Sequence, residues 1–154
     1  MPLAARDCVR VASPYPRTVS APLAFRLCHR HPSDVTDQEL YEAALAASQA
    51  AYAPYSNFFV GAAALLRDGR VVTGVNVENA SYPVGICAER CAIARAVAEG
   101  AKPGDFEAIG ITASPCGACR QWLHEFRFVR VAFMHEGELI VRRPDELLPD
   151  SFGP

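Results

Sequence analysis

From Thr36 onwards, apolar and polar positions fall into a readable order. Leu40, Ala43, Ala44, Ala47 and Ala51 recur at the three-and-four spacing of one helix face. Thr36 and Glu39 ahead of that stripe form a capping box, and Pro54 closes the helix. Two apolar runs, 59–66 and 71–77, flank Asp68-Gly69 and predict a hairpin. An alanine-rich helix is expected over 87–99, stopped by Gly100. A short buried strand follows over 108–112, then a helix over 117–126, then strands over 129–135 and 138–141 around Glu136-Gly137. The order α-β-β-α-β-α-β-β predicts an α/β fold, with a mixed sheet of about five strands and helices on its faces. Ahead of it, Pro2, Pro14, Pro16, Pro22 and Pro32 break every period. The division expected is therefore 1–34 as a disordered N-terminal extension, or an upstream start outside the working protein, and 35–154 as the folded domain.

Composition narrows the partners. A chain of 154 residues, 51% hydrophobic, suits one domain with one core. A formal charge of −2 leaves no basic footprint for nucleic acid and favours a small substrate. No apolar run is long enough to span a membrane. The apolar stretch 19–25 is short and split by Pro22, which argues against a signal peptide; an arginine-rich transit segment is the other reading of the N-terminus. Of six cysteines, Cys8, Cys28 and Cys91 remain once three are assigned to ligand spacing. An odd set fits a reducing, cytoplasmic setting better than a disulfide framework.

The chemistry concentrates in Cys87-Ala88-Glu89 and Pro115-Cys116-Gly117-Ala118-Cys119. Cys116 and Cys119, three apart at a helix start, project from one face, and Cys87 can supply a third thiolate. Three thiolates leave one vertex of a Zn²⁺ tetrahedron open for water and chemistry. Glu89 is placed to hold that water's protons, although a first-turn glutamate also suits a helix dipole. Arg90 and Arg120 each follow a ligand closely and can donate to thiolate, or equally stand in surface salt bridges. Cys91, four residues after Cys87, would close the site if it were a fourth ligand. A purely structural zinc module would want that fourth ligand and give Glu89 no purpose. His124 reads as a helix-surface residue. Asn76 and Glu78 alternate with Val77 along an extended stretch and share one side. An amide and a carboxylate there suit the hydroxyls of a sugar, or simply a turn before Asn79.

Cys-x-Glu followed by Pro-Cys-x-x-Cys resembles the signature of the zinc nucleobase deaminases. Four stretches make the resemblance closer: residues 55–63 (YSNFFVGAA), 76–82 (NVENASY), 87–90 (CAER) and 114–121 (SPCGACRQ). With Glu146-Leu147-Leu148-Pro149 near the end, the chain from about Asp37 resembles the small, tetrameric, free-nucleoside cytidine deaminases. The resemblance implies a three-layer fold, a catalytic domain over 35–154, and one Zn²⁺ per subunit on Cys87, Cys116 and Cys119, leaving Cys91 a small buried side chain. It implies Glu89 as proton shuttle, the ribose on Asn76 and Glu78, and Phe58 lining the base pocket, where plain core packing is the other reading. Ala88 joins these among the implied substrate-binding residues. It also implies a homotetramer in which Phe152 reaches a neighbour's pocket, packing on its own subunit being the alternative. The expected activity is deamination of cytidine and 2′-deoxycytidine in pyrimidine salvage, with a modified cytosine nucleoside as the rival substrate and no nucleic-acid or membrane partner. The chain departs from the resembled pattern in the short connection through Ala113 and in a trimmed segment after Phe126.

Overall fold

A computed structural model describes residues 30–153. Most of the proline-broken stretch, with Cys8 and Cys28, lies outside the described residues. Within its last part, Pro32–Asp34 forms a 3₁₀ turn, and the Arg30 guanidinium donates to the Glu39 carboxylate and the Asp34 carbonyl.

Helix α1 spans Asp37–Ser48 behind the expected capping box. The Glu39 amide donates to Thr36 Oγ1 at 3.2 Å, and the Thr36 amide donates to the Glu39 carboxylate at 2.9 Å. The helix stops before Ala51. The Ser48 hydroxyl donates to the Leu45 carbonyl at 2.8 Å, and short turns onto Ala47 and Ser48 bring Tyr52 alongside Val77.

Five strands follow: β1 (Gly61–Leu66), β2 (Val71–Val75), β3 (Phe106–Ile111), β4 (Arg130–His135) and β5 (Glu138–Arg142). They form one sheet in the order β2-β1-β3-β4-β5, with only β3 and β4 parallel. Helices α2 (Ala88–Ala98), α3 (Gly117–Glu125) and the short α4 (Pro144–Leu147) complete the order, with a 3₁₀ turn at Tyr82–Val84. The sheet is mixed and has helices on both faces, as the periodicities predict.

Strand β1 is buried on both sides, which explains its unbroken apolar run. Ala62, Ala64 and Leu66 join the core beneath α2 and α3, while Ala63 and Leu65 face α1 with Leu40, Ala43 and Ala44. Close approach is set by glycines on both faces, Gly61 and Gly110 beneath α1 and Gly74 beneath α2. A Cβ on Gly61 would stand 1.9 Å from the Ala44 carbonyl oxygen, and one on Gly74 would stand 2.3 Å from the Ala92 nitrogen. Neither helix could sit so low over a larger residue.

Several boundaries differ from expectation. Strand β1 begins at Gly61 because the Val60 amide donates to the Asn76 side chain, at 2.8 Å. Strand β2 ends at Val75, after which Val77 bridges Tyr52 and Ile86 outside the sheet. Strand β3 opens at Phe106, whose ring packs against Phe126 and Phe128 with centroids at 5.3 and 4.8 Å. Helix α4 is too short for any periodicity to announce it, and Glu146 capping the Arg143 amide at 2.6 Å secures its start.

Candidate metal centre and adjoining pocket

Two chain segments leaving the sheet converge on one site. The segment after β2 leads to α2, whose N-cap is Cys87, and the short connection after β3 leads to α3, whose N-cap is Cys116. At that connection the Gly61 amide donates to Thr112 Oγ1 at 3.0 Å, pinning the strand end two residues before Ser114-Pro115. Neither cysteine spends its sulfur on a side-chain cap bond, and both stand at a helix N-terminus, where the dipole favours thiolate. Cys119, one turn into α3, is fully buried.

The three sulfurs lie within 4.8 Å of one another, and Cys87 Sγ is 3.9 Å from Cys116 Sγ. Tetrahedral zinc with sulfur at about 2.3 Å spaces its sulfurs by about 3.8 Å, so the donor set and its spacing fit zinc. The thiols interact strongly before any metal is considered. Cys87 is brought down to about 5, first by its bond with Cys119 and then by Arg90. Cys119 is pushed up, first by that same bond to Cys87 and then by burial. The two directions describe one shared proton, since the first sulfur to ionise makes its neighbour harder to ionise. A divalent cation would favour the thiolate form of all three. Cys91 is half-buried and stands apart from the cluster.

Glu89 is 4% exposed, facing a cavity of about 630 Å³ with Cys87 and Cys116 also in its wall. Burial above all, and then the Cys87 charge, raises its carboxyl above the usual range. Arg90 lies where the sequence suggests: Nη2 donates to Cys87 Sγ at 3.5 Å and to the Gly85 carbonyl at 3.3 Å. Arg120 does not. It reaches no sulfur but donates through Nε to the Pro115 carbonyl at 2.9 Å and through Nη1 to the Leu147 carbonyl at 3.1 Å. The expected thiolate contact is thus replaced by a brace one step removed, on the carbonyl before Cys116. A carbonyl 27 positions downstream leaves no trace in local spacing.

Ala88, Phe58, Asn76 and Glu78 also line the cavity. Asn76 accepts from the Val60 amide through Oδ1 and donates to the Phe58 carbonyl through Nδ2, at 2.8 and 2.9 Å. Glu78 accepts from the Tyr55 and Ser56 amides at 2.9 and 3.2 Å, and from the Ser56 hydroxyl. Those bonds, led by the Ser56 hydroxyl, lower its carboxyl below the usual value. Asn57, at φ 55°, turns the chain so that Phe58 stands at the cavity mouth, 60% exposed. Core packing for Phe58 is therefore not what the structure has. Ser56 and the Tyr55–Tyr82 edge-to-face pair belong to this wall as well. Sequence reasoning gave them no role, because Ser56 reveals its purpose only through Glu78, 22 positions away. Phe152 is absent from the cavity wall of its own chain, and its ring is 90% exposed.

A three-layer α/β fold with three clustered thiols beside a buried carboxyl, and with Cys87, Cys116 and Glu89 in the wall of an open cavity, defines the class of protein that can hold a metal next to a substrate space. The cytidine and deoxycytidylate deaminase zinc-binding region matches residues 34–135, and the chain belongs to that family. It is 48% identical over 124 residues to a cytidine deaminase of Halalkalibacterium halodurans, covering 75% of this chain and 92% of that one. A Mycobacterium tuberculosis cytidine deaminase is 46% identical over 113 residues, 70% of this chain and 82% of that one. The solved cytidine deaminase of Burkholderia pseudomallei superposes with a TM-score of 0.72 at 47% identity, over 77% of this chain and all of that one.

Proposed function

We propose that this protein is a zinc-dependent hydrolase that deaminates cytidine and 2′-deoxycytidine to uridine and 2′-deoxyuridine, releasing ammonia, in pyrimidine salvage. The observation that carries the reading is the convergence of Cys87, Cys116 and Cys119 at two helix starts, beside the buried Glu89. Zinc held by those three sulfurs supplies the Lewis acidity that makes water nucleophilic near neutral pH. Glu89 takes one proton from the attacking water and passes it to N3 of the cytosine, then takes the remaining proton from the new C4 hydroxyl and gives it to the departing amine, which leaves as ammonia while the C4 carbonyl forms; its raised pKa suits a group that must both accept and donate. Arg90 withdraws charge from Cys87, which keeps three thiolates from blunting the metal. Phe58 and Ala88 flank the base, and Asn76 and Glu78 receive the sugar.

The wall also supports a free nucleoside. Among the described residues Arg90 is its one cation, and that guanidinium is committed to Gly85 and Cys87. A 5′-phosphate would instead meet the Glu78 carboxylate. The exposed rings of Tyr55, Phe58, Phe59 and Tyr82, with Phe152 standing free, support a homotetramer with shared sites. Thiols that must stay reduced to hold zinc suit a reducing, cytoplasmic setting. The test is turnover by purified protein. Cytidine and 2′-deoxycytidine should convert, a chelator should abolish conversion, and deoxycytidylate should be a poor substrate. Preference for deoxycytidylate, or full activity in chelator, would reverse the reading.

A further inference from the structure

Helix α3 carries more than two of the clustered sulfurs. Arg120 holds the Leu147 carbonyl at the end of α4. Gln121 Nε2 donates to the Phe152 carbonyl at 2.7 Å. His124 Nε2 shares a hydrogen bond with the Ser151 hydroxyl at 2.9 Å, and Gly153 lies against the same imidazole. Gln121 and His124 are three apart and so share a helix face. Asp150, at φ 52°, provides the turn that lays the segment along that face.

Chain ends fray unless tied down, and the usual tie is a buried apolar side chain. Here the arrangement is inverted, because side-chain hydrogen bonds hold the backbone at Ser151 and Phe152 while the largest apolar group of the segment stays in water. Ordering a backbone costs conformational entropy, and a ring left 90% exposed on its own subunit offsets little of that cost. We infer that Gln121 and His124 are positioning residues, which fix the segment so that the Phe152 ring is presented to the cavity of a second copy of this chain. This rests on the proposed function, in which Phe152 completes a neighbour's pocket. The receiving surface is the apolar rim of Tyr55, Phe58 and Tyr82.

Gln121→Ala should raise KM for cytidine about three- to tenfold at unchanged kcat and zinc content, the range set by losing one well-placed aromatic contact. Gln121→Glu keeps the shape but loses the donor, so it should behave like Gln121→Ala; a packing role would tolerate it. Adding Gln121→Ala to Phe152→Ala should raise KM no further, since the anchor acts through the ring. Independently of activity, amide hydrogen exchange over 148–153 should quicken in Gln121→Glu, with 115–119 unchanged. The inference is overturned by an unaltered KM in both Gln121 variants, by additivity with Phe152→Ala, by zinc loss, or by unaltered exchange in the tail. A wild type that exchanges as expected but leaves cytidine untouched would sink the functional reading and keep the anchor.

Discussion

The role proposed for Glu89 is one that its own substitution can isolate. Glu89→Gln keeps size and hydrogen bonding but removes the group that accepts and returns protons, so turnover should fall by about a thousandfold or more while zinc stays bound. Steady-state kinetics with metal analysis would decide it, and retention of a tenth of wild-type kcat would remove Glu89 from the mechanism. The ligand set is separable in the same way. Cys116→Ala and Cys119→Ala should release zinc, whereas Cys91→Ser, whose sulfur stands apart from the cluster, should keep a full complement. At this scale the three thiols, Glu89 and Arg90 were legible, because helix periodicity and ligand spacing are local properties. The target of Arg120 was not legible, nor was the part Ser56 plays on Glu78, because both partners become neighbours only through the fold.

Among elements, α1 is the one whose start is written in full. Its capping box supplies two of the bonds an isolated helix end lacks, so Thr36→Ala should cost about 1 kcal/mol by denaturant titration without altering the metal site. Its pH dependence follows from Glu39, whose carboxyl is lowered first by the Thr36 amide and then by Arg30. A group with a lowered folded pKa contributes its stability in full above the unfolded value and loses it as pH falls through the folded one. Glu39→Gln should therefore lose stability near neutrality and show a shallower acid decline; an unchanged acid limb would contradict this. The hairpin at Asp68-Gly69 and the cores of α2 and α3 were equally readable. Helix α4 was not, since four residues held by a proline, a cap and the Arg120 brace carry no period.

For the whole molecule, the sheet and its two helical layers followed from the order of patterns, while assembly did not, since apolar residues on a rim look like core in a sequence. Tyr55, Phe58, Phe59, Tyr82 and Phe152 are all exposed in a single chain. Sedimentation should show a tetramer, and Phe152→Ala should keep zinc while raising KM for cytidine several-fold; a monomer with wild-type KM would refute shared sites. The double duty of α3 also limits how the chain could change length. One residue inserted after Cys119 would rotate all that follows by about 100° and swing Gln121 and His124 off the tail while both sulfurs stayed put. The β4–β5 turn at Glu136-Gly137 faces open space, and a lengthened loop there can leave the pairing of both strands as it is. Insertions should thus be borne at the β4–β5 turn and rejected within α3, even at positions of α3 that face only water.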